Sequence, residues 1–150
     1  MNIFEKLMMI SNEIGTLNKD LNVEMSNGKQ YSAISEKSVL DAVKPLEYKY
    51  RVFSYPVKRT RTSQTMLRDW KDANGQARVT TLFVDRVDVT YRFVNVDDPS
   101  QFIEVDSFGT GIDTGDKGPG KAMTYADKYA LMKAYKLAAG NASDPDTFGS

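Results

Sequence analysis

The sequence predicts an α+β fold in which helices back an antiparallel sheet, and three observations favour this class. Apolar residues recur at helical spacing near the N-terminus and again after Ser35. Between residues 51 and 108, runs of alternating apolar and polar residues are separated by turn signals, which is typical of consecutive antiparallel strands. An alanine-rich segment after Gly120 predicts a long closing helix. Strands and helices that are segregated along the chain are typical of α+β domains.

Composition narrows the classes of function. The chain has 150 residues, the size of one domain, which we place at residues 1–140, with 141–150 as a linker or truncated tail. It contains neither cysteine nor histidine, so disulfides and thiolate metal sites are excluded and the commonest general base is missing. No apolar run approaches the roughly 20 residues of a membrane span. We therefore expect no enzyme activity, no cofactor and no membrane partner.

The charges are balanced overall but unevenly distributed. The net charge is zero, yet residues 44–78 hold nine Lys or Arg against three acids, and residues 117–136 hold five Lys against one Asp. Between them, residues 79–116 hold two basic residues against eight acids. Two basic segments that flank an acidic one can form a positive groove in a neutral protein, or they can mix with the acids on a solvated surface.

An N-terminal helix is predicted over residues 1–21, where it would pack on the core or on a neighbouring subunit. Its apolar residues alternate spacings of four and three along one narrow stripe, namely Ile3, Leu7, Ile10, Ile14, Leu17 and Leu21. Gly15 weakens the middle of this helix. Asn27-Gly28 marks a turn, and Tyr31–Ile34 is predicted to be a short strand.

A second helix is predicted to follow Ser35, whose hydroxyl can cap it, with Glu36 favourably placed in the first turn. Apolar residues at helical spacing give this helix one buried face, formed by Val39, Val43, Leu46 and Tyr50. Pro45 is expected to kink or end the helix, because proline lacks an amide hydrogen and crowds the preceding turn.

Three strands of the sheet are predicted over Arg51–Arg61, Arg78–Val94 and Gln101–Phe108. Pro56 indicates an edge position or a bulge in the first of them. Thr62–Ala77 is predicted to be a polar connection, in which Asn74-Gly75 is the strongest turn signal. This connection places an aromatic residue between two cations, in the order Arg68, Trp70 and Lys71.

The segment Phe108–Leu137 combines a glycine-rich stretch with the closing helix. Five of the ten glycines lie in it, namely Gly109, Gly111, Gly115, Gly118 and Gly120. Glycine is favoured where the backbone adopts left-handed conformations or approaches a ligand closely, so we predict a shaped loop. In the helix, one stripe carries Lys121, Tyr125, Lys128, Met132 and Tyr135, and the opposite face carries Ala122, Ala126, Ala130 and Ala134.

Three functions compete for this segment. Residues Gly115–Lys121 satisfy the P-loop pattern G-x-x-x-x-G-K, but Ala122 stands where a hydroxyl should bind magnesium and the predicted sheet is antiparallel. Four carboxylates could hold a metal for nuclease chemistry or could simply cap turns, namely Glu104, Asp106, Asp113 and Asp116. The Lys/Tyr stripe suits single-stranded nucleic acid, because lysine neutralises phosphate and tyrosine stacks on any base. The tyrosines could instead be core or interface residues.

The run G-T-G-I-D-T-G-D-K at residues 109–117, followed by G-K-A-M-T-Y-A-D-K-Y-A-L at residues 120–131, closely resembles the Erf (essential recombination function) family of phage single-strand annealing proteins. Shorter runs near the N-terminus are similar to the same family, namely Tyr31–Ile34, Val39-Leu40 with Pro45-Leu46, and Ser54–Val57. The resemblance covers about residues 30–140, and the loop and helix together are its most specific part.

The resemblance implies a Rad-type annealing fold with a β-β-β-α core, which assembles into rings or helical filaments and binds single-stranded DNA in a basic groove. It also implies ATP-independent strand annealing in recombination and DNA repair, in the cytoplasm of a phage-infected bacterial host. Family members often carry a C-terminal tail linked to partners, such as a single-strand-binding protein or an exonuclease. The family motif carries over to Gly109, Gly111, Asp113, Lys117, Gly120, Lys121, Tyr125, Lys128 and Tyr129.

Charge, the helix stripe and the resemblance together nominate the DNA-binding candidates Lys117, Lys121, Tyr125, Lys128, Lys133, Arg59, Arg61 and Arg68. The arginines on the strand and connection could serve subunit contacts instead. Asp113 is expected to shape the loop, together with Gly109, Gly111 and Gly120, rather than to bind a metal.

Overall fold

The computed structural model describes residues 1–24 and 28–139. The elements follow one another in the order α1 (Ile3–Glu13), β1 (Leu21–Glu24), β2 (Gln30–Ala33), α2 (Glu36–Tyr50), β3 (Val52–Lys71), β4 (Ala77–Asn95), β5 (Phe102–Asp113) and α3 (Gly118–Tyr135). Strands β1 and β2 form a two-stranded antiparallel sheet, and β3, β4 and β5 form a three-stranded antiparallel sheet with β4 in the centre. The predicted α+β class is confirmed.

The chain divides into two compact units. Among the described residues, unit 1 comprises 1–24, 28–55, 92–103 and 131–139, and unit 2 comprises 56–91 and 104–130. The long strands and α3 contribute residues to both units. The single domain predicted over residues 1–140 stays a prediction, and the predicted tail at 141–150 lies outside the described residues.

In unit 1, α1 begins at a capping box formed by Asn2 and Glu5, and it buries Ile3 and Ile10. The prediction that the helix continues to residue 21 is wrong. It ends at Glu13, where Ile14 is already extended, and the glycine that follows has a poor helix propensity. The last two apolar residues of the predicted stripe lie outside the helix: Leu17 forms an isolated bridge with Ala139, and Leu21 is the first residue of β1.

The short strand predicted over Tyr31–Ile34 is confirmed as β2. Its partner β1 was missed, because it is only four residues long and none of them is fully buried. At the predicted turn between them, Gly28 has the left-handed φ of +82° that glycine tolerates best, whereas Asn27 lies outside the described residues.

Helix α2 confirms the predicted cap, since the side chain of Ser35 accepts a hydrogen bond from the amide of Ser38. Val39 and Val43 are buried, and the other two residues of the predicted face are half-buried. Of the two expected effects of Pro45, a kink or the end of the helix, the second is wrong, because α2 continues to Tyr50. Pro45 lies on the exposed side, where water can satisfy the carbonyl that loses its amide partner.

The three predicted strands are confirmed, and β3 and β5 both extend beyond their predicted ends, β5 as far as Asp113. β3 continues to Lys71, so the predicted connection begins ten residues too early, and only the turn at residues 72–76 remains. In that turn Gly75 has a φ of +76°, as its Asn-Gly sequence predicts. β3 lies at the edge of the sheet, which confirms the edge position inferred from Pro56.

Unit 1 also buries hydrogen-bonded polar groups. Tyr135 is completely buried, meets Phe93 edge to face at 5.5 Å, and donates its hydroxyl to Glu47 at 2.6 Å. The buried ammonium group of Lys6 donates to Asn95 and to Asp97, each at 2.7 Å. Burial raises the pKa of Glu47 above its ordinary value, because a carboxylate loses its hydration there.

Candidate nucleic-acid interface

The glycine-rich segment is mostly regular structure rather than the predicted loop. Gly109 and Gly111 lie inside β5, and Gly118 and Gly120 lie in the first turn of α3, which leaves a loop of residues 114–117. Among the described glycines, only Gly28 and Gly75 have a positive φ. The left-handed backbone that the glycines suggested is therefore wrong for this segment.

The glycines of β5 are needed because α3 lies directly on the strand. A methyl group at Gly109 would come within 2.5 Å of the Ala126 amide nitrogen and would collide with the carbonyl oxygen of Ala122. Gly111 would likewise collide with the carbonyl oxygen of Gly118. Small residues on the helix match them: Ala122, Ala126 and Ala130 are completely buried. This confirms close packing of the alanine face against the sheet.

The buried core of unit 2 includes residues of β4 that pack against the first turns of α3. Val87 and Val89 of β4 form a core cluster with Ala122 and Ala126. Asp85 is buried beside them and accepts hydrogen bonds from Arg61 and from the hydroxyl of Ser63. A methyl group at Gly118 would lie 2.5 Å from the other carboxylate oxygen of Asp85, so the helix begins in contact with this carboxylate.

Asp113 closes the loop between β5 and α3. Its carboxylate accepts the amide of Thr114 at 2.7 Å, and the ammonium group of Lys121 lies 3.9 Å away. The amide of Thr114, more than the lysine, holds the pKa of Asp113 below its ordinary value, because it stabilises the charged form. The loop-shaping role of Asp113 stays a prediction.

The predicted stripe of α3 is not uniformly exposed. Lys117 and Lys121 are exposed, and the Tyr125 and Tyr129 rings are stacked 6.1 Å apart, with Tyr129 40% exposed. Lys128 is buried, with its ammonium group 4.9 Å and 5.1 Å from the centres of these two rings. Cation–π attraction to the two rings therefore helps to stabilise the buried ammonium group.

The later residues of α3, among them Met132 and Tyr135 of the stripe and the candidate Lys133, belong to unit 1. Tyr135 is buried in that unit's core, so it is a core aromatic there, while Lys133 is exposed. Unit 2 brings together five members of the predicted helix set, namely Lys117, Lys121, Tyr125, Lys128 and Tyr129.

Two of the three arginine candidates form ion pairs within unit 2. The guanidinium group of Arg59 makes a bidentate contact with Asp127, both distances being 2.7 Å. Arg61 lies 3.0 Å from the buried carboxylate of Asp85. Arg68 is exposed on β3. The bidentate geometry indicates a structural part for Arg59, because such pairs are among the stronger charged contacts.

The sheet topology disfavours the P-loop alternative. A P-loop requires parallel βαβ units, and the three-stranded sheet is antiparallel. Within residues 1–24 and 28–139, no three carboxylates come together in a group that could hold a metal ion.

A cleft of about 380 Å³ in unit 2 was not predicted from the sequence. Arg61, Phe83, Asp116 and Pro119 line it, together with polar residues of β3. Most residues of β3 that line the cleft fall in the segment predicted to be a connection. Asp85 interrupts the apolar alternation of β4 before Phe83, so the sequence pattern gives no signal for the cleft.

These features define a helix-backed antiparallel sheet whose second unit exposes lysines and tyrosines beside a tightly packed glycine–alanine contact. The chain belongs to the ERF superfamily, whose family model matches residues 3–149. This superfamily is known for single-strand annealing and recombination in phages. A comparison with curated proteins finds no match. In the part of the chain that the structure describes, no helix is both long and apolar enough to cross a membrane.

Proposed function

We propose that this protein binds single-stranded DNA and anneals complementary strands without ATP, as a homo-oligomer, in phage recombination and DNA repair in the cytoplasm of the bacterial host. The family match over residues 3–149 carries this proposal. It includes the G-x-G-x-D strand and the helix after it, which pack together in unit 2.

The chemistry of annealing supports the proposal. Two strands pair when a surface screens their phosphates and keeps their bases exposed, and this needs no acid, base or nucleophile. A chain without histidine or cysteine is suited to such a role.

The exposed cations of unit 2 are the best candidates for phosphate contacts. Lys117 and Lys121 lie at the start of α3, and Tyr129 offers part of its ring to a base farther along the helix. Arg68 is a further exposed cation on β3. Tyr125 is a second aromatic candidate, and Lys133 is a candidate in unit 1. Arg59, Arg61 and Lys128 are less accessible to phosphate, since the first two are ion-paired and the third is buried.

The proposal is tested by mixing two complementary labelled oligonucleotides with the protein in the presence of a chelator and without nucleotide. We expect the protein to accelerate duplex formation well above the rate of the oligonucleotides alone, and salt to weaken binding because phosphate contacts release counterions.

Three other outcomes would contradict the proposal. Phosphate release that depends on nucleotide and magnesium would indicate an NTPase, and shortened oligonucleotides would indicate a nuclease. Folded protein that ignores oligonucleotides at low salt would leave only a structural role.

A further inference from the structure

The cleft in unit 2 has a buried acid in its wall. It is bordered by the polar part of β3, by Phe83 of β4 and by the segment that leads into α3, and its volume is about 380 Å³. Asp85 also lines it, although only 3% of this residue is exposed. A carboxylate that has lost most of its hydration and still borders an open cleft is a strong acceptor for a hydrogen-bond donor of a ligand.

The protein fixes one oxygen of Asp85 and leaves the other to the cleft. Oδ1 accepts a hydrogen bond from Nε of Arg61 at 3.1 Å and another from the hydroxyl of Ser63. Because both bonds go to the same oxygen, the lone pairs of Oδ2 are available to a further donor. Oδ2 lies beside Gly118, where an added methyl group would come within 2.5 Å of it, so no side chain from the start of α3 covers this oxygen.

The rest of the wall combines an aromatic ring with small polar groups. Phe83 is 41% exposed, so part of its ring is accessible, and Ser63, Gln64 and Thr65 add hydroxyl and amide groups. A cleft of a few hundred Å³ with an aromatic residue and a few polar groups is typical of sites for small planar ligands. Every nucleic-acid base has a flat face that can stack on such a ring.

We propose that this cleft holds one unpaired base of the single-stranded DNA and favours a base with an exocyclic amine. The amine donates to Oδ2 of Asp85, and the base stacks on Phe83. The inference rests on the proposed function and deepens it, because it gives the base a defined place and predicts a base preference. Arg61 then acts as a positioning residue that holds the carboxylate.

The charges favour a base inside the cleft and its phosphates outside. Asp85 and Asp116 line the cleft, and its one cation, Arg61, is paired with Asp85 at 3.0 Å, so a phosphate inside would meet uncompensated negative charge. Lys117 follows Asp116 in the chain, and both Lys117 and Lys121 are exposed. The phosphates that flank the held base can therefore bind these lysines.

Two other occupants are less favourable. Within residues 1–24 and 28–139, no group of three acidic side chains could hold a metal ion, so the cleft does not have the ligands for one. A cationic side chain of a partner protein would pair with Asp85, but it would also meet the like charge of Lys117, which follows the lining residue Asp116. A neutral base with an amine avoids this repulsion.

The base preference follows from the chemistry of the carboxylate. In protein–DNA complexes an aspartate accepts a hydrogen bond from the N4 amine of cytosine, whereas thymine has the acceptor oxygen O4 at that position. Uracil has the same oxygen and lacks the methyl group of thymine. Cytosine and uracil are nearly the same size, so a comparison of these two bases isolates the amine.

The test compares the binding of oligo(dC) and oligo(dU) of equal length, by fluorescence anisotropy in slightly alkaline buffer, where both bases are neutral. We expect the wild type to bind oligo(dC) about tenfold more tightly, because a hydrogen bond to a charged group is among the stronger ones. The two backbones carry the same charge. Rising salt should therefore weaken both complexes and leave their ratio constant.

Two variants assign the preference to the cleft. Asp85→Asn keeps the shape of the side chain and should abolish the preference for oligo(dC). Phe83→Leu should weaken the binding of both oligonucleotides by about fivefold or more, because it removes the stacking surface. Phe4→Leu is the matched control, since Phe4 is a 63% exposed phenylalanine on α1 in unit 1, and it should leave both affinities unchanged.

A photo-cross-link provides a readout of position that needs no variant. An oligo(dC) with a single 5-iodocytosine is irradiated in complex with the wild type, and mass spectrometry of the digested protein locates the adduct. We expect it on the peptide that contains Phe83. Circular dichroism checks the fold of each variant, and the cross-link and Phe83→Leu decide the question if Asp85→Asn does not fold.

The inference is overturned if the wild type binds oligo(dC) and oligo(dU) equally, or if folded Asp85→Asn keeps the preference. It is also overturned if the cross-link maps outside the cleft. In each of these cases DNA binding persists, so the proposed function stands. A wild type that binds neither oligonucleotide at low salt would refute the proposed function and the inference with it.

One further result would assign the cleft to protein. If Asp85→Asn changes the mass of the oligomer in native mass spectrometry and leaves the ratio of the two affinities as in the wild type, a cationic side chain of another chain occupies the cleft. That result also overturns the inference.

Discussion

Unit 2 contains two regions that differ in how tightly they are packed. One is the contact between β5 and α3, and the other is the tip of the β3–β4 hairpin at residues 66–82, which we call the arm. In the first, the backbones come so close that Gly109 and Gly111 have no room for a methyl group. In the second, no side chain is buried at all. The same compact unit therefore holds a contact that tolerates no added atom and a ribbon that has space on every side.

The difference teaches where each kind of substitution should act. Changes in the β5–α3 contact should alter the free energy of unfolding, since they displace backbone against backbone. Changes on exposed parts of the unit should leave that free energy nearly unaltered and should act on assembly or DNA binding. The predictions below test this separation, beginning with the largest effect.

Gly109→Ala should lower the free energy of unfolding by about 3 kcal/mol, because its methyl group meets helix backbone that cannot rotate away. Urea denaturation measures the loss. Gly120→Ala is the control: a methyl group there meets nothing within 4 Å, and alanine in a helix should stabilise by up to about 1 kcal/mol. Equal effects of the two substitutions would refute the distinction between the regions.

Arg59→Gln should cost about 1–2 kcal/mol of stability, because it removes a bidentate contact with Asp127. If the contact is the cause, Arg59→Gln combined with Asp127→Asn should lose clearly less than the sum of the two single changes. Arg86→Gln serves for comparison, since its pair with Asp88 is about half exposed and should contribute little. Additive losses in the double variant would argue against coupling.

Lys121→Gln should leave stability almost unchanged and weaken the binding of an oligonucleotide. Each lost phosphate contact should reduce the slope of log affinity against log salt by up to about one unit. Fluorescence anisotropy at several salt concentrations measures the slope. Lys37→Gln is the matched control, because Lys37 is an exposed lysine on α2 in unit 1. A shared effect of both variants would indicate only a loss of overall charge.

Asp113→Asn should have the smallest effect, and that effect should depend on pH. The folded protein holds the pKa of Asp113 below its ordinary value of 3.8, so the carboxylate stabilises the fold above that pH. The contribution is lost as the pH falls through the folded pKa. Unfolding at a series of pH values should therefore show wild type and variant converging in acid, and a constant difference would exclude the charge as the cause.

The sequence predicted the elements of regular structure better than their ends. Alternation in β4 and the cap at Ser35 depend on local pattern, and both were confirmed. The ends of α1 and β3 depend on tertiary pairing. Leu17 and Leu21 keep a helical spacing, yet Leu17 forms an isolated bridge with Ala139 and Leu21 pairs with β2, and β3 continues through a polar segment because β4 runs beside it.

The candidate site shows the same limit. The alanine face of α3 was predictable from its spacing, because small residues every fourth position indicate a close neighbour. Burial of Lys128 was not predictable, since its spacing matches the exposed Lys121. Nor could charge counts reveal that Arg59 is held by Asp127, which lies far away in the sequence.

The position of β3 has a practical consequence for handling the protein. It is 20 residues long and forms one edge of its sheet, and a bare row of amides and carbonyls can template fibre growth between molecules. Pro56 interrupts that row, and Lys58 and Arg68 add repulsion between stacked copies. Concentrated salt screens this repulsion, so the protein should resist aggregation longest at low protein concentration in low-salt buffer.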